Sequence, residues 1–307
     1  MKIGIIGGIN IDIEGVPFNK IKYQDSNPGT IRISYGGVGR NIAENVARLG
    51  GDCAMISVIS DEPMSQGAVR ELKELGVETS MIRAVKGRTP SLYLSILNEN
   101  RDMELAVSDM EILDQIDRDF IDSLKDYLEE ADVITLDGNL SEDNLSYASE
   151  KFSEKKLFYD PVSASKAERA RKLVGRFFAI KPNRIEAEVL LDMKIETDED
   201  VEEAARRFME LGVKQVFITL GKQGVYYMEE GDCGFLRPVK ELTPASATGA
   251  GDGFSACILM GITRGLRARE IAFAGMTASE MALESENAVN RDLSYEELLS
   301  RIKEKIK

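Results

Sequence analysis

Short apolar runs alternate with longer stretches of helical spacing along most of the chain. Six runs, KIGIIGG, CAMISVIS, ADVITLDG, KKLFYDP, FFAIKPN and KQVFITLG, have the length of buried strands, and most close on Gly, Asp, Asn or Pro. Between them, RNIAENVARLG places Ile42, Val46 and Leu49 on one helical face with Gly50 as its stop. VEEAARRFMELG groups Val201, Ala205, Phe208 and Leu211 in the same way ahead of Gly212. This β–α alternation predicts a parallel sheet covered by helices on both faces. Ligands of such sheets sit beyond the carboxyl ends of the strands, so the Gly-, Asp- and Asn-rich strand ends carry the functional information.

Two segments break the alternation: IDIEGVPFNKIKYQDSNPGTIRISYGG and TPSLYLSILNENRDMELAVSDM. Both read as short β pieces with turn signals and no helix. Leaving from one end of a parallel sheet, residues 12–35 and 88–108 are expected to pair into a small β lid; two separate surface hairpins are the alternative. From Gly249 onward the pattern is helical, ending in SYEELLSRIKEKIK, an amphipathic helix with a basic end.

The chain has 307 residues, 43% of them hydrophobic, and a formal charge of −14. That balance argues against a nucleic-acid partner, and a phosphate ligand would need positive character concentrated locally. Cys53, Cys233 and Cys257 are scattered and form no CxxC pair, against a zinc site or a disulfide framework. Histidine is absent, so proton transfer must fall to carboxylates, Lys, Tyr or Cys. MKIGIIGGIN reads as a first strand rather than a signal peptide, and no apolar run approaches the ~20 residues of a membrane span. A cytoplasmic protein without a membrane partner is expected.

The chemistry concentrates in small-residue clusters. In TGAGDGF, Gly249, Ala250 and Gly251 can open a helix whose first amides meet an anion, with Asp252 placed to accept a hydroxyl proton. The plainer alternative makes Asp252 an ordinary helix-start residue. A helix N-terminus should also lower its pKa and weaken it as a base. In YGGVGRN, Gly36, Gly37 and Gly39 allow close ligand approach beside Asn41, but the spacing is not GxGxxG, which disfavours a dinucleotide fold. No GxxxxGK[ST] loop occurs. KPNRIEAE puts Asn183 and Glu186 on one helical face, as ligands to the waters of a magnesium ion or simply as a capping box. Thr219 to Gly224 reads as a strand followed by a glycine turn.

In order and approximate spacing, GGINID, GGVGRN, KPNRIEAE, TLGKQG and TGAGDGF resemble the ribokinase/PfkB family of sugar and nucleoside kinases over nearly the whole chain. The resemblance implies one ribokinase-like domain over 1–307, a doubly wound α/β sheet with a β lid that closes over the sugar. It implies ATP, Mg2+ and transfer to a primary alcohol. By position, Asn10 and Asp12 would bind ribose hydroxyls, with Gly37 and Asn41 lining the same pocket. Asp252 would be the base and Gly249, Ala250 and Gly251 the anion hole. Asn183 and Glu186 would organise magnesium and phosphate, while Thr219, Gly221 and Gly224 would flank the nucleotide. Family lids also mediate dimers, so a homodimer through the lid is implied. Many members carry Asp-Thr-Thr before the small-residue run, associated with a potassium site; here Ser246, Ala247 and Thr248 stand there, and a monovalent cation is not implied. GGINIDIEG, SNPGTIRISYGGVGRNIAEN, DPVSASK and ALESENAVN look most like the branch acting on pseudouridine. Ser26, Asn27, Thr89 and Asn139 would then face the base. A ribose or other nucleoside kinase, or a binding protein that has lost transfer, are the alternatives.

Overall fold

The apolar runs become strands because each is flanked by residues that end pairing and each can bury both faces. In a computed structural model that describes residues 2–238 and 249–306, the strands are β1 (Ile3–Ile6), β2 (Asn10–Pro17), β3 (Gly29–Gly36), β4 (Cys53–Ser60), β5 (Ile82–Val85), β6 (Leu92–Leu97) and β7 (Met103–Asp109). They continue as β8 (Val133–Asp137), β9 (Lys156–Asp160), β10 (Ala179–Ile180), β11 (Gln215–Thr219), β12 (Val225–Glu229) and β13 (Asp232–Leu236). Nine form one sheet in the order β13-β12-β11-β10-β9-β8-β1-β4-β5. From β11 across to β5 the neighbours run parallel, while β12 and β13 turn back antiparallel.

Strand period places successive side chains on opposite faces. Ile6, Tyr159 and Ile218 accordingly join one buried cluster, while Ile5, Phe158 and Phe217 join the other. Helices Asp198–Leu211 and Arg184–Leu191 cover the first face; helices Val38–Arg48, Ala250–Arg264 and Ala268–Leu283 cover the second. The fold class read from the alternation is therefore the one observed. Ile42, Val46 and Leu49 are buried as their spacing requires, and so are Val201, Ala205 and Phe208. Leu211 departs from its expected place and is 52% exposed. It is the last helical residue before Gly212 (φ 120°), and there the backbone rather than the side chain packs, with the Leu211 carbonyl against Gly175.

The two irregular segments supply β2, β3, β6 and β7, which pair as a second sheet in the order β3-β2-β6-β7. Register gives its faces opposite characters. Asp12 lies across from Ser34 and Tyr93 on one face; Ile13 lies across from Ile33 and Leu94 on the other. Among the described residues no helix is long and apolar enough to cross a membrane.

Candidate active site

The helix Ala250–Arg264 begins at Gly249, whose left-handed backbone (φ 84°) only glycine adopts without cost. A Cβ there would lie 1.7 Å from the Ala288 carbonyl oxygen, so the Ala288 segment sits directly on the helix start. The amides of Asp252 and Gly253 return to the Gly249 carbonyl, both at 3.1 Å. That leaves the amides of Ala250 and Gly251 without a partner inside the helix, where the positive end of the dipole is strongest. A Cβ added at Gly251 would lie 3.4 Å from the Lys181 ammonium nitrogen, so a cation stands beside those amides.

Asp252 is 7% exposed and accepts a 2.8 Å hydrogen bond from Asn41 Nδ2. One carboxylate thus joins the late helix to the early glycine cluster, 211 residues away. Burial, and next the charge of Asp160, push the Asp252 carboxyl up to about 7, although Asn41 and Lys181 favour its ion. The expectation of a depressed value is corrected here, because desolvation outweighs the helix dipole.

Sequence reading missed the group that supplies the local positive charge. Lys181, at the carboxyl end of β10, is buried and pairs with buried Asp160 at 3.3 Å. Burial lowers its pKa, but Asp160, then Glu186 and Asp252, outweigh that and hold the ammonium above its ordinary value. Ser255 Oγ donates to Asp160 at 2.6 Å, fixing the pair against the helix. Asp137 was missed as well. Wholly buried at the end of β8, it accepts from the amides of Gly8 (2.9 Å), Gly39 (3.2 Å) and Asn139 (2.9 Å), and from Asn139 Nδ2 (3.1 Å). The signal for all three was their place: TLDG, FYDP and AIKPN each end a strand on a charge.

Gly37 caps the helix Val38–Arg48 with φ 96°, and a Cβ there would come within 2.4 Å of the Gly8 carbonyl oxygen. This close contact sets the glycine cluster against the loop after β1, which leads into β2, whose first residue Asn10 accepts from Ser91 Oγ at 2.7 Å. Burial pushes Asp12 up to about 6, opposed by Arg40, a buried cation that pairs with Glu44 and Glu71 at 2.9 Å each. Asn10, Gly37, Asn41 and Asp252 are thus drawn into one region, with Asn139 beside Gly8 and Asp12 beside Gly36.

Asn183 and Glu186 form the reciprocal capping box, with Asn183 Oδ1 accepting from the Glu186 amide (2.9 Å) and Glu186 Oε2 from the Asn183 amide (2.8 Å). Glu186 keeps its other carboxylate oxygen outside the box, and burial raises its pKa against the pull of Lys181. Thr219 bridges to Asn183 in parallel register, and Gly221 and Gly224 enclose a single tight turn before β12. Ser26, Asn27 and Thr89 are exposed and lie outside this cluster; Asn27 spends its amide on Lys22 and Asp25 in a local turn. Ser246, Ala247 and Thr248 lie outside the described residues.

A family description, the pfkB family carbohydrate kinase, matches residues 2–294. Pseudouridine kinase of Escherichia coli is 33% identical over 97% of this chain and 95% of its own. Guanosine-inosine kinase of Exiguobacterium acetylicum is 28% identical over 94% and 96%. The structure of Arabidopsis thaliana ribokinase complexed with ribose and ATP superposes with a TM-score of 0.85 at 19% identity, covering 98% of each chain. A helix head over Lys181 and Asp252, on a fold shared with these proteins, completes the case: the chain belongs to the pfkB family of carbohydrate kinases, phosphotransferases that act on an alcohol.

Proposed function

We propose that the protein transfers the terminal phosphoryl group of ATP to the ribosyl 5′-hydroxyl of pseudouridine. The observation that carries the transfer is the 2.8 Å contact between Asn41 and Asp252, which brings the acceptor side and the phosphate side of the site together on one carboxylate. The 33% identity to a pseudouridine kinase over 97% of the chain supports the choice of nucleoside.

In this reading Asn10 and Asp12 hold the ribose hydroxyls, and Gly37 and Asn41 close the pocket floor. Asp252, poised near neutrality, accepts the 5′-hydroxyl proton as the oxygen bonds to phosphorus. The Gly249–Gly251 amides and Lys181 meet the equatorial phosphate oxygens, where charge develops. Thr219, Gly221 and Gly224 flank the nucleotide. The residues fit a magnesium ion carried by phosphates and water: among the described residues no three carboxylates or thiols converge on one point, and Glu186 offers its remaining oxygen beside Asn183. Magnesium would neutralise charge on the transferred group. The small sheet acts as the lid over the sugar and, through its outer face, as the contact between two copies of the chain.

The deciding experiment measures ADP release with ATP and, in turn, pseudouridine, uridine, inosine, adenosine and ribose. Pseudouridine should give the highest kcat/KM; ribose matching or exceeding it would replace the nucleoside with the free sugar.

A further inference from the structure

From Asp137 and Asn139 a chain of polar contacts with a fixed direction runs on to Lys166, a group given no role above. Asp137, with four donors converging on it, is an acceptor. It therefore holds the Asn139 side chain by its nitrogen, which turns the amide oxygen outward. That oxygen accepts from the Lys166 ammonium. Lys166 sits on the short helix Ala164–Ala167 beyond β9, against Gly138, and its ammonium also lies 3.5 Å from the sulfur of Met110, the residue after β7 of the small sheet. Burial, with help from Arg169, pulls Lys166 below its ordinary pKa, while Asp137 opposes this. Arg169 itself is spent on the carbonyls of Gly138, Asn139 and Leu140.

An ammonium has three protons. Among the described residues Asn139 takes one and the weakly accepting Met110 sulfur another. For the third no acceptor is found among the described residues, and the Asn139 nitrogen lies 3.1 Å from where a Gly8 side chain would begin, beside the loop that leads to Asn10. Ser26, Asn27 and Thr89, the other candidates for reading a base, are exposed, and Asn27 is consumed by its own turn. We propose that Lys166 is the specificity-determining residue for the nucleobase: it donates to a carbonyl oxygen of the base, and Asp137, through Asn139, is the positioning residue that holds it there. The inference rests on the nucleoside reading above and adds to it the group on the base that is recognised.

The test compares Lys166→Met, which keeps the length and removes the donors, with Lys166→Arg, using pseudouridine and ribose as acceptors for ATP. K166M should raise the KM for pseudouridine at least tenfold with kcat within threefold, while the KM for ribose, which has no base, moves less than twofold. K166R should restore most of the pseudouridine KM, and D137N should shift pseudouridine in the same direction as K166M. Equal losses on both acceptors would make Lys166 a structural counter-charge to Asp137 and overturn the proposal. So would a K166M enzyme indistinguishable from wild type on pseudouridine, with the nucleoside reading left standing. Wild-type protein that phosphorylates ribose and no nucleoside would overturn both.

Discussion

Asp252 shows how one carboxylate is tuned by opposing terms. The helix start, Asn41 and Lys181 favour the ion, whereas burial and Asp160 favour the acid, and the result is about 7. A general base at that value works near neutral pH. The kcat/KM of the wild type should therefore climb as pH rises through about 7 and level off above it; a climb centred near pH 4 instead would mean that the dipole dominates. Asp252→Asn should lower turnover by roughly 10²–10⁴ and leave ATP binding, read by calorimetry, largely intact. The same shift bears on stability. Because the folded-state value lies above the ordinary 3.8, the folded chain keeps a proton that the unfolded chain loses between about pH 4 and pH 7. Stability should fall as pH rises through that window, by at most about 4 kcal/mol. D252N removes this term, so its Tm should exceed that of wild type at pH 8 and converge with it near pH 4. Asp252 and Asn41 were legible in the sequence because small residues advertise backbone approach. Asp137, Asp160 and Lys181 were not, because a lone charge at the end of an apolar run acquires meaning only when the sheet order sets these ends side by side.

At the scale of elements, local signals read well wherever a helix or strand is decided by its own residues. The capping box of Asn183 and Glu186 is one such case, and it shows that a cap and a ligand for metal-bound water need not compete, since each uses a different carboxylate oxygen. Asn183→Ala should cost about 1 kcal/mol through the lost cap, seen as a drop in Tm. Glu186→Gln can keep the cap, so its deficit should appear as a higher magnesium requirement with Tm little changed. Gly249 marks where local reading stops. Its need for a left-handed backbone is visible in GAG, but the Ala288 carbonyl oxygen 1.7 Å from its missing side chain is not. Gly249→Ala must therefore shift either the helix start or the Ala288 segment. Losing alignment of such donors costs about 10²–10³ in turnover. That loss should appear with nucleoside KM nearly unchanged, since Asn10 and Gly37, proposed to line the nucleoside pocket, belong to other elements, β2 and the cap of the helix Val38–Arg48. Leu211 is the converse: its helical spacing was right, but a chain reversal at Gly212 left the side chain in water.

On the whole-molecule scale, the alternation of strands and helices announced the large sheet, because each buried strand is apolar along its whole length. The small sheet is harder to read, since its four strands come from two segments that no local signal ties together; their pairing depends on both leaving the carboxyl ends of parallel strands, β1 inside the large sheet and β5 at its edge. Its two-sided character follows from register. Asp12, Ser34 and Tyr93 share one face, and Ile31, Ile33, Leu94, Leu105 and Val107 point the other way, all exposed, Ile31 by 76%. Five aliphatic side chains on one sheet face form a patch of the kind that monomers rarely leave in water. On a chain with a formal charge of −14, two copies repel over most of their surface, and this mainly aliphatic face, with Asp109 only at its end, is where they can meet at low electrostatic cost. A two-fold contact places the same face on both partners, so each aliphatic residue finds an apolar neighbour without a second, complementary surface. Sedimentation equilibrium should accordingly give twice the chain mass. Ile33→Lys combined with Val107→Lys should give a monomer, because four lysines would then face one another across the contact. If the lid is held in position by its partner, the monomeric variant should also show a raised KM for the nucleoside with ATP binding unaffected. A wild-type protein that sediments as a monomer at micromolar concentration would leave this face without the partner assigned to it.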